Sequence, residues 1–249
     1  PDAWLVAENG DFVASDLNGL GWHGAMNYQG FMRPVWNWLN RNSEIGGGFQ
    51  GLPFAMPQIS GQQLVNSMKQ FNASVPWRSV TASMVLLDSH DTARFRTVVK
   101  GDVASHLSAM SMVLTYPGVP SIFAGDEIGL EGSWGEDGRR TINWEDRSQW
   151  DHTFMAEVKK LISVRKSNDA LINGGLRWIA AEKDFILYLR ESKKQSVLVF
   201  VSRRGVNAKI DLSALGLKVT KVLYGANASG SKFAVKSKEA TQAIWEVTR

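Results

Sequence analysis

Three acidic segments in the first half of this 249-residue chain each follow a short apolar run. Trp4-Leu5-Val6-Ala7 runs into Glu8. Met84–Leu87 continues as Asp88-Ser89-His90-Asp91, and Ser121-Ile122-Phe123-Ala124 leads through Gly125 to Asp126-Glu127. In α/β barrels, side chains at the carboxyl ends of separate strands are aimed at one point. Two carboxylates flanking a bond are what glycosidic hydrolysis needs. One donates a proton to the leaving oxygen, and the other attacks the sugar or stabilises its developing positive charge. Acidic residues also end strands for solubility alone, so the two readings stand side by side until further residues separate them.

His90 beside Asp91 adds to the catalytic reading, because an imidazole and a carboxylate can share the vicinal hydroxyls of one sugar ring. The four histidines, His23, His90, His106 and His152, are scattered without ligand spacing, so no metal site is expected. Ten tryptophans, eight of them before residue 151, suit stacking on sugar rings. Trp22, Trp134 and Trp144 lie in Gly-flanked, loop-like stretches, whereas Trp36 and Trp38 read as helix-packing residues. Ser133-Trp134-Gly135-Glu136-Asp137-Gly138-Arg139-Arg140 is polar and follows a strand end, as a substrate-shaping loop would. Arg139 and Arg140 either bind hydroxyls or only pair with Asp137 and Glu136.

These residues need elements to hold them. Four apolar runs, at Trp4–Ala7, Ala25–Tyr28, Met84–Leu87 and Val119–Ala124, read as buried parallel strands. Helical patterns alternate with them. Phe31–Leu39 is amphipathic with Pro34 in an early turn, and Ser60-Gly61-Gln62-Gln63 resembles a capping box opening a helix through Phe71. Asp102 can cap a helix to about Leu114, and a last helix is expected from about Thr153 to Lys166. Beyond residue 168 the pattern changes to short alternating strands: Leu176–Ala180, Phe185–Glu191, Ser196–Ser202, Ala208–Leu212 and Lys218–Tyr224. Two domains are therefore expected, 1–168 and 169–249, the second a small antiparallel β domain. Four parallel strands with helices make either a small open sheet or half of an eight-stranded barrel.

Bulk properties exclude little. Apolar residues make up 44% and charged residues 21%, ordinary for a globular protein. No apolar run approaches the roughly 20 residues that span a bilayer, so no membrane partner is expected. Cysteine is absent, which rules out disulfides and thiolate metal sites. Net charge is −5 over residues 1–150 and +9 over 151–249. A basic half can mean nucleic acid, but its lysines alternate with apolar residues, as in Lys218-Val219-Thr220-Lys221-Val222. That is the pattern of solvated strand faces, and no nucleic-acid partner is expected. The start at Pro1 suggests an absent upstream part, and any targeting information would be absent with it; the cytoplasm is the default expectation.

The segments also match a known family. Leu87-Asp88-Ser89-His90-Asp91-Thr92-Ala93-Arg94 resembles the strand-seven signature of glycoside hydrolase family 13, the α-amylase family, and Pro117 to Gly129 resembles its strand-eight signature. Trp4–Glu8 fits strand five and Gly24–Tyr28 fits strand six, all four in family order. Arg139-Arg140-Thr141-Ile142-Asn143-Trp144 is similar to the segment after strand eight in neopullulanases, cyclomaltodextrinases and related α-glucosidases. The resemblance covers residues 1–166 directly. It implies the C-terminal half of a TIM (β/α)8 barrel, strands five to eight, followed by a small β-sandwich.

The resemblance also implies roles. Glu8 matches the general acid/base and Asp91 the carboxylate that stabilises the transition state. His90 matches a substrate-binding histidine, with Trp22 and Arg139 as further candidates for sugar contact. The family's nucleophile, an Asp at the end of strand four, has no counterpart in this sequence. The expectation is therefore a fragment of a retaining α-glucan hydrolase acting on α-1,4 or α-1,6 bonds of maltooligosaccharides, inactive by itself. It would need no cofactor, and would need the missing barrel half or a second copy to cover its sheet edges. Two other readings stay open: an amylase-like binding module without chemistry, and a transglycosylase using the same carboxylates.

Overall fold

Short parallel strands carry all three acidic segments in the computed structural model, which describes residues 3–10, 12–40 and 56–249. β1 (Val6–Ala7) pairs in parallel with β2 (Gly24–Ala25). A π-helical turn, Tyr28–Met32, leads into α1 (Arg33–Leu39). α2 (Gly61–Ser74) follows, opened by Ser60 with both halves of the capping box in place. α3 (Trp77–Ala82) precedes β3 (Met84–Val85). The short α4 (Phe95–Val98) and the long α5 (Val103–Thr115) come next, α5 opened by Asp102, whose carboxylate accepts from the Ser105 amide. β4 (Val119–Pro120) pairs in parallel with β3, and a parallel bridge between Met26 and Met84 joins the two pairs. The spatial order is thus β1-β2-β3-β4, with helices between β2 and β3 and between β3 and β4. The paired ladders are shorter than the apolar runs that foretold them, which continue beyond the paired residues.

α6 (His152–Ser167) and α7 (Asp169–Asn173) close this part, and antiparallel strands follow. β5 (Gly175–Ala181), β6 (Phe185–Glu191), β7 (Ser196–Ser202), β8 (Val206–Asp211) and β9 (Lys218–Gly225) fall where the alternation placed them. Two more strands, β10 (Lys232–Ser237) and β11 (Thr241–Thr248), were not anticipated. β11 is interior to the five-stranded order β5-β6-β7-β11-β9, while β8 and β10 form a separate pair. One face of the larger sheet packs Leu187, Leu198 and Phe200 against Ile210 and Val235 of that pair. The other face packs Ile186, Tyr188, Val199 and Ile244 into the core shared with α1, α2 and α5. Burial on both faces makes Phe185–Leu189 and Val197–Val201 continuous apolar runs rather than the alternating pattern expected of them. Lys209 and Lys218, by contrast, take the exposed positions of β8 and β9 beside buried Ala208 and Val219. Trp36 and Trp38 are core residues, and their indole N–H groups donate to the carbonyls of Leu87 and Lys183.

The core holds one histidine. His106 lies between the rings of Phe95 and Phe154, and its Nδ1 accepts from Arg96 Nε at 3.0 Å. Burial, then the Arg96 charge, holds its pKa well below the ordinary value, so the folded protein keeps it neutral. The unfolded chain protonates it near pH 6.5, so below that pH the unfolded state binds more protons. Stability should therefore be intact above about pH 6.5 and fall by roughly 1.4 kcal/mol per pH unit on acidification, until the depressed folded pKa is reached. The other three histidines are exposed. Denaturant melts from pH 8 to pH 5 should show this slope, and His106→Gln should lack it.

Candidate active site

Glu8 directly follows β1, and His90 and Asp91 lie in the turn that leaves β3. Those strands are parallel members of one array, so their exits share an end. One ligating atom from each of Glu8, His90 and Asp91 lies within 4.8 Å of the others. Arg139 reaches the same place, with Nη2 3.7 Å from Asp91 Oδ1, and His90 Nε2 is 3.3 Å from that oxygen. Glu8, His90 and Arg139 are exposed and Asp91 is partly buried, so the cluster opens to solvent.

Local chemistry sets the Asp91 turn. The Ser89 amide donates to Thr92 Oγ1 and the Thr92 amide to the Ser89 carbonyl, closing the turn on itself. Tyr28, at the exit of β2, donates its hydroxyl to Ser89 Oγ at 2.9 Å, and that oxygen accepts from the Asp91 amide at 3.2 Å. Burial first, then the charges of Asp91 and Glu8, raise the Tyr28 pKa, so its phenol stays a donor. Neither Tyr28 nor Ser89 was singled out from sequence. The available signal was a tyrosine closing the apolar run of the second strand.

The 133–139 loop covers the other side. A Cβ at Gly135 would lie 3.0 Å from the His90 carbonyl oxygen and 3.1 Å from the Asp91 carbonyl carbon, so a side chain there would press on the turn. Asp137 holds the loop from within. It accepts from the Ser133 amide and from Arg140, and those contacts keep its carboxyl below the ordinary range. Arg139 is thereby left to pair with Glu136 and Asp91, the arrangement that spacing could not choose between. Trp134 stands exposed beside Gly135, and Trp144, also exposed, packs edge-on against Trp150.

Trp22 is placed elsewhere. β1 and β2 pair Val6 with Gly24, so Trp22 precedes the ladder while Glu8 follows it. At about 3.3 Å per residue this separates them by on the order of 10 Å along the strands, at opposite ends. Spacing along the chain also hid the nearness of His90 to Glu8. Together with Asp91 these are donor types that could hold a divalent cation. However, the Arg139 guanidinium already brings positive charge to the same carboxylate, which suits polar neutral hydroxyls better.

The sequence profile of the family described as "Alpha amylase, catalytic domain" matches residues 23–147, half of the chain. The chain belongs to the α-amylase family of glycoside hydrolases. His90, Asp91 and Arg139 lie inside the matched span, and Glu8 and Trp22 before it. Among relatives in the α-amylase family, a cyclomaltodextrinase from a Bacillus species is 31% identical over 206 residues, covering 81% of this chain and 34% of the relative. Neopullulanase 2 of Thermoactinomyces vulgaris is 31% identical over 207 residues, covering 82% and 32%. A solved debranching enzyme from Nostoc punctiforme superposes with a TM-score of 0.86 at 24% identity, over 99% of this chain and 52% of that one. The chain thus spans about a third of these two curated relatives and about half of the solved enzyme. The likeness to the solved enzyme establishes a shared fold, that of the TIM-barrel enzymes of the family.

Proposed function

We propose that β1 to β4 are strands five to eight of a (β/α)8 barrel, that the division from a C-terminal β-sandwich falls near residue 168, and that the whole protein is a retaining α-glucan hydrolase. Its substrates on this reading are maltooligosaccharides or related glucans with α-1,4 or α-1,6 bonds. The observation that carries the reading is the approach of Glu8, His90 and Asp91 to within 4.8 Å at one end of the parallel strands. Glu8 is the general acid/base. Asp91 and His90 hold adjacent sugar hydroxyls as positive charge grows on the ring, and Arg139 fixes the Asp91 carboxylate. Retention needs a nucleophile about 5–5.5 Å from the acid, and Asp91 in the stabilising role leaves that task to a carboxylate outside these 249 residues. The chain by itself is therefore inactive.

The full-length protein should release reducing ends from maltooligosaccharides and from a cyclomaltodextrin, with the first-formed product in the α configuration by NMR. Binding without turnover, or an inverted product, would refute the reading. Arg139→Ala removes a half-exposed ion pair with Asp91, worth about 0.2–1 kcal/mol. It should raise KM by roughly two- to fivefold, read from initial rates on maltotriose.

A further inference from the structure

A buried acidic pair lies beneath the site, and the mechanism above does not use it. Asp88 is the first residue after the apolar run of β3 and is almost fully buried. Its Oδ2 accepts from the Phe95 amide at 2.6 Å. Its Oδ1 is shielded from solvent and has no donor partner among the described residues. What lies within hydrogen-bonding reach of that side chain is a second carboxyl, Asp126, from the turn that leaves β4. Asp126 Oδ1 already accepts from Arg94 Nη1 at 2.9 Å, and both of those side chains are buried as well. Arg94 stacks over Phe123 and donates from Nε to the Gly138 carbonyl, while its amide donates to the Gly132 carbonyl.

Charge counting decides the state of this group. One guanidinium faces two carboxyls where water does not reach. If both carboxyls were ionised, a net negative charge would be buried and the Asp88 carboxylate would abut another acceptor. A proton on Asp88 removes both faults, because its O–H then donates to Asp126. The other titratable groups that act on the pair offer no second cation: Glu127 bears on Asp126 from its own turn, and Tyr28 lies on the side of β2.

We propose that Asp88 is a positioning residue that works as a neutral carboxylic acid, bonding Asp126 so that the Asp88–Asp126–Arg94 unit locks the exits of β3 and β4 and the 133–139 loop beneath Asp91 and Arg139. The catalytic consequence rests on the roles given to Asp91 and Arg139 above; the shared proton does not. Burial first, then the Asp126 charge, pushes the Asp88 carboxyl well above the usual carboxylate range. With a folded pKa above the unfolded one, the unit stabilises the fold at low pH, and this contribution is lost as pH rises through the folded pKa.

Asp88→Asn supplies the same shape, with an amide N–H for Asp126 and an oxygen for the Phe95 amide. In the full-length protein at pH 7 it should keep kcat and KM on maltotriose within about twofold and melt no lower than wild type. Asp88→Ala should lower kcat about tenfold or more, with a smaller change in KM. Wild type at pH 7 should show the infrared carbonyl stretch of a protonated carboxylic acid, and Asp88→Asn should lack it. Absence of that band from wild type, or an Asn variant as impaired as the Ala variant, would overturn the proposal. Should Asp88→Ala not fold, the Asn variant and the infrared band decide. Both the band and the melts can be read whether or not the protein cleaves glucans, so loss of the glucan reading would leave the shared proton testable.

Discussion

Glu8→Gln in the full-length protein should lower kcat on maltooligosaccharides by about 10²–10⁴-fold, the usual contribution of a positioned general acid. KM should change little, because the amide keeps the size and polarity of the acid. Stability should hardly change, since Glu8 is exposed. The sharper expectation lies in the choice of substrate. A 4-nitrophenyl glucoside has a leaving group that departs without protonation, so its glycosylation step should be far less affected than that of maltotriose. A purely structural role for Glu8 would slow both substrates equally. Paired kcat/KM values, which report the glycosylation step, separate these cases on the two substrates.

Arg190→Met should destabilise the protein by about 3–5 kcal/mol, since three buried or part-buried carbonyls lose their charged donor at roughly 1–3 kcal/mol each. Arg190 is fully buried in β6 and donates to the carbonyls of Gly174, Gly175 and Thr115. Thr115 ends α5, where the helix leaves carbonyls without intrahelical donors and favours a cation. Arg165 serves the neighbouring carbonyls of Leu114, Tyr116 and Gly118 from α6. Burial, then the Arg165 charge, lowers the Arg190 pKa to about 10, so it remains a cation at neutral pH. Methionine would fill part of the volume but leave three carbonyls without their donor. Thermal melts should fall by roughly 10 °C for a chain of this size. A fall of a degree or two would show that the guanidinium adds little beyond packing.

Legibility differed from element to element for identifiable reasons. α2 could be read because Ser60 and Gln63 announce a capping box, and α5 because Asp102 stands one residue before it. β6 and β7 could be placed because turn residues bound them, although burial on both faces makes them unbroken apolar runs rather than alternating strands. β11 could not: its buried residues Gln242–Trp245 sit between polar ends, and its interior place in the sheet comes from pairing with β7 and β9, far away along the chain. Glu8, His90 and Asp91 were legible as strand-end residues, while their mutual approach depends on strand order. The place of Trp22 was not legible, because a Gly-flanked indole looks the same before a strand as after it, and only the β1–β2 register tells which end it occupies. Asp88 was hidden for a different reason. As a residue type it matches Asp91 three places on, yet one is buried against a second carboxyl and the other faces solvent and Arg139.

The central claim is that Glu8 and Asp91 face one sugar-binding hollow from the exits of β1 and β3, at the same end of one parallel array. A crystal structure of full-length Glu8→Gln soaked with a maltooligosaccharide tests it directly. The account predicts a glycosidic oxygen within hydrogen-bonding distance of the side chain at position 8, with vicinal hydroxyls of the adjoining sugar on Asp91 and His90. A sugar bound at another end of the array, or one that touches position 8 without touching Asp91, would contradict it.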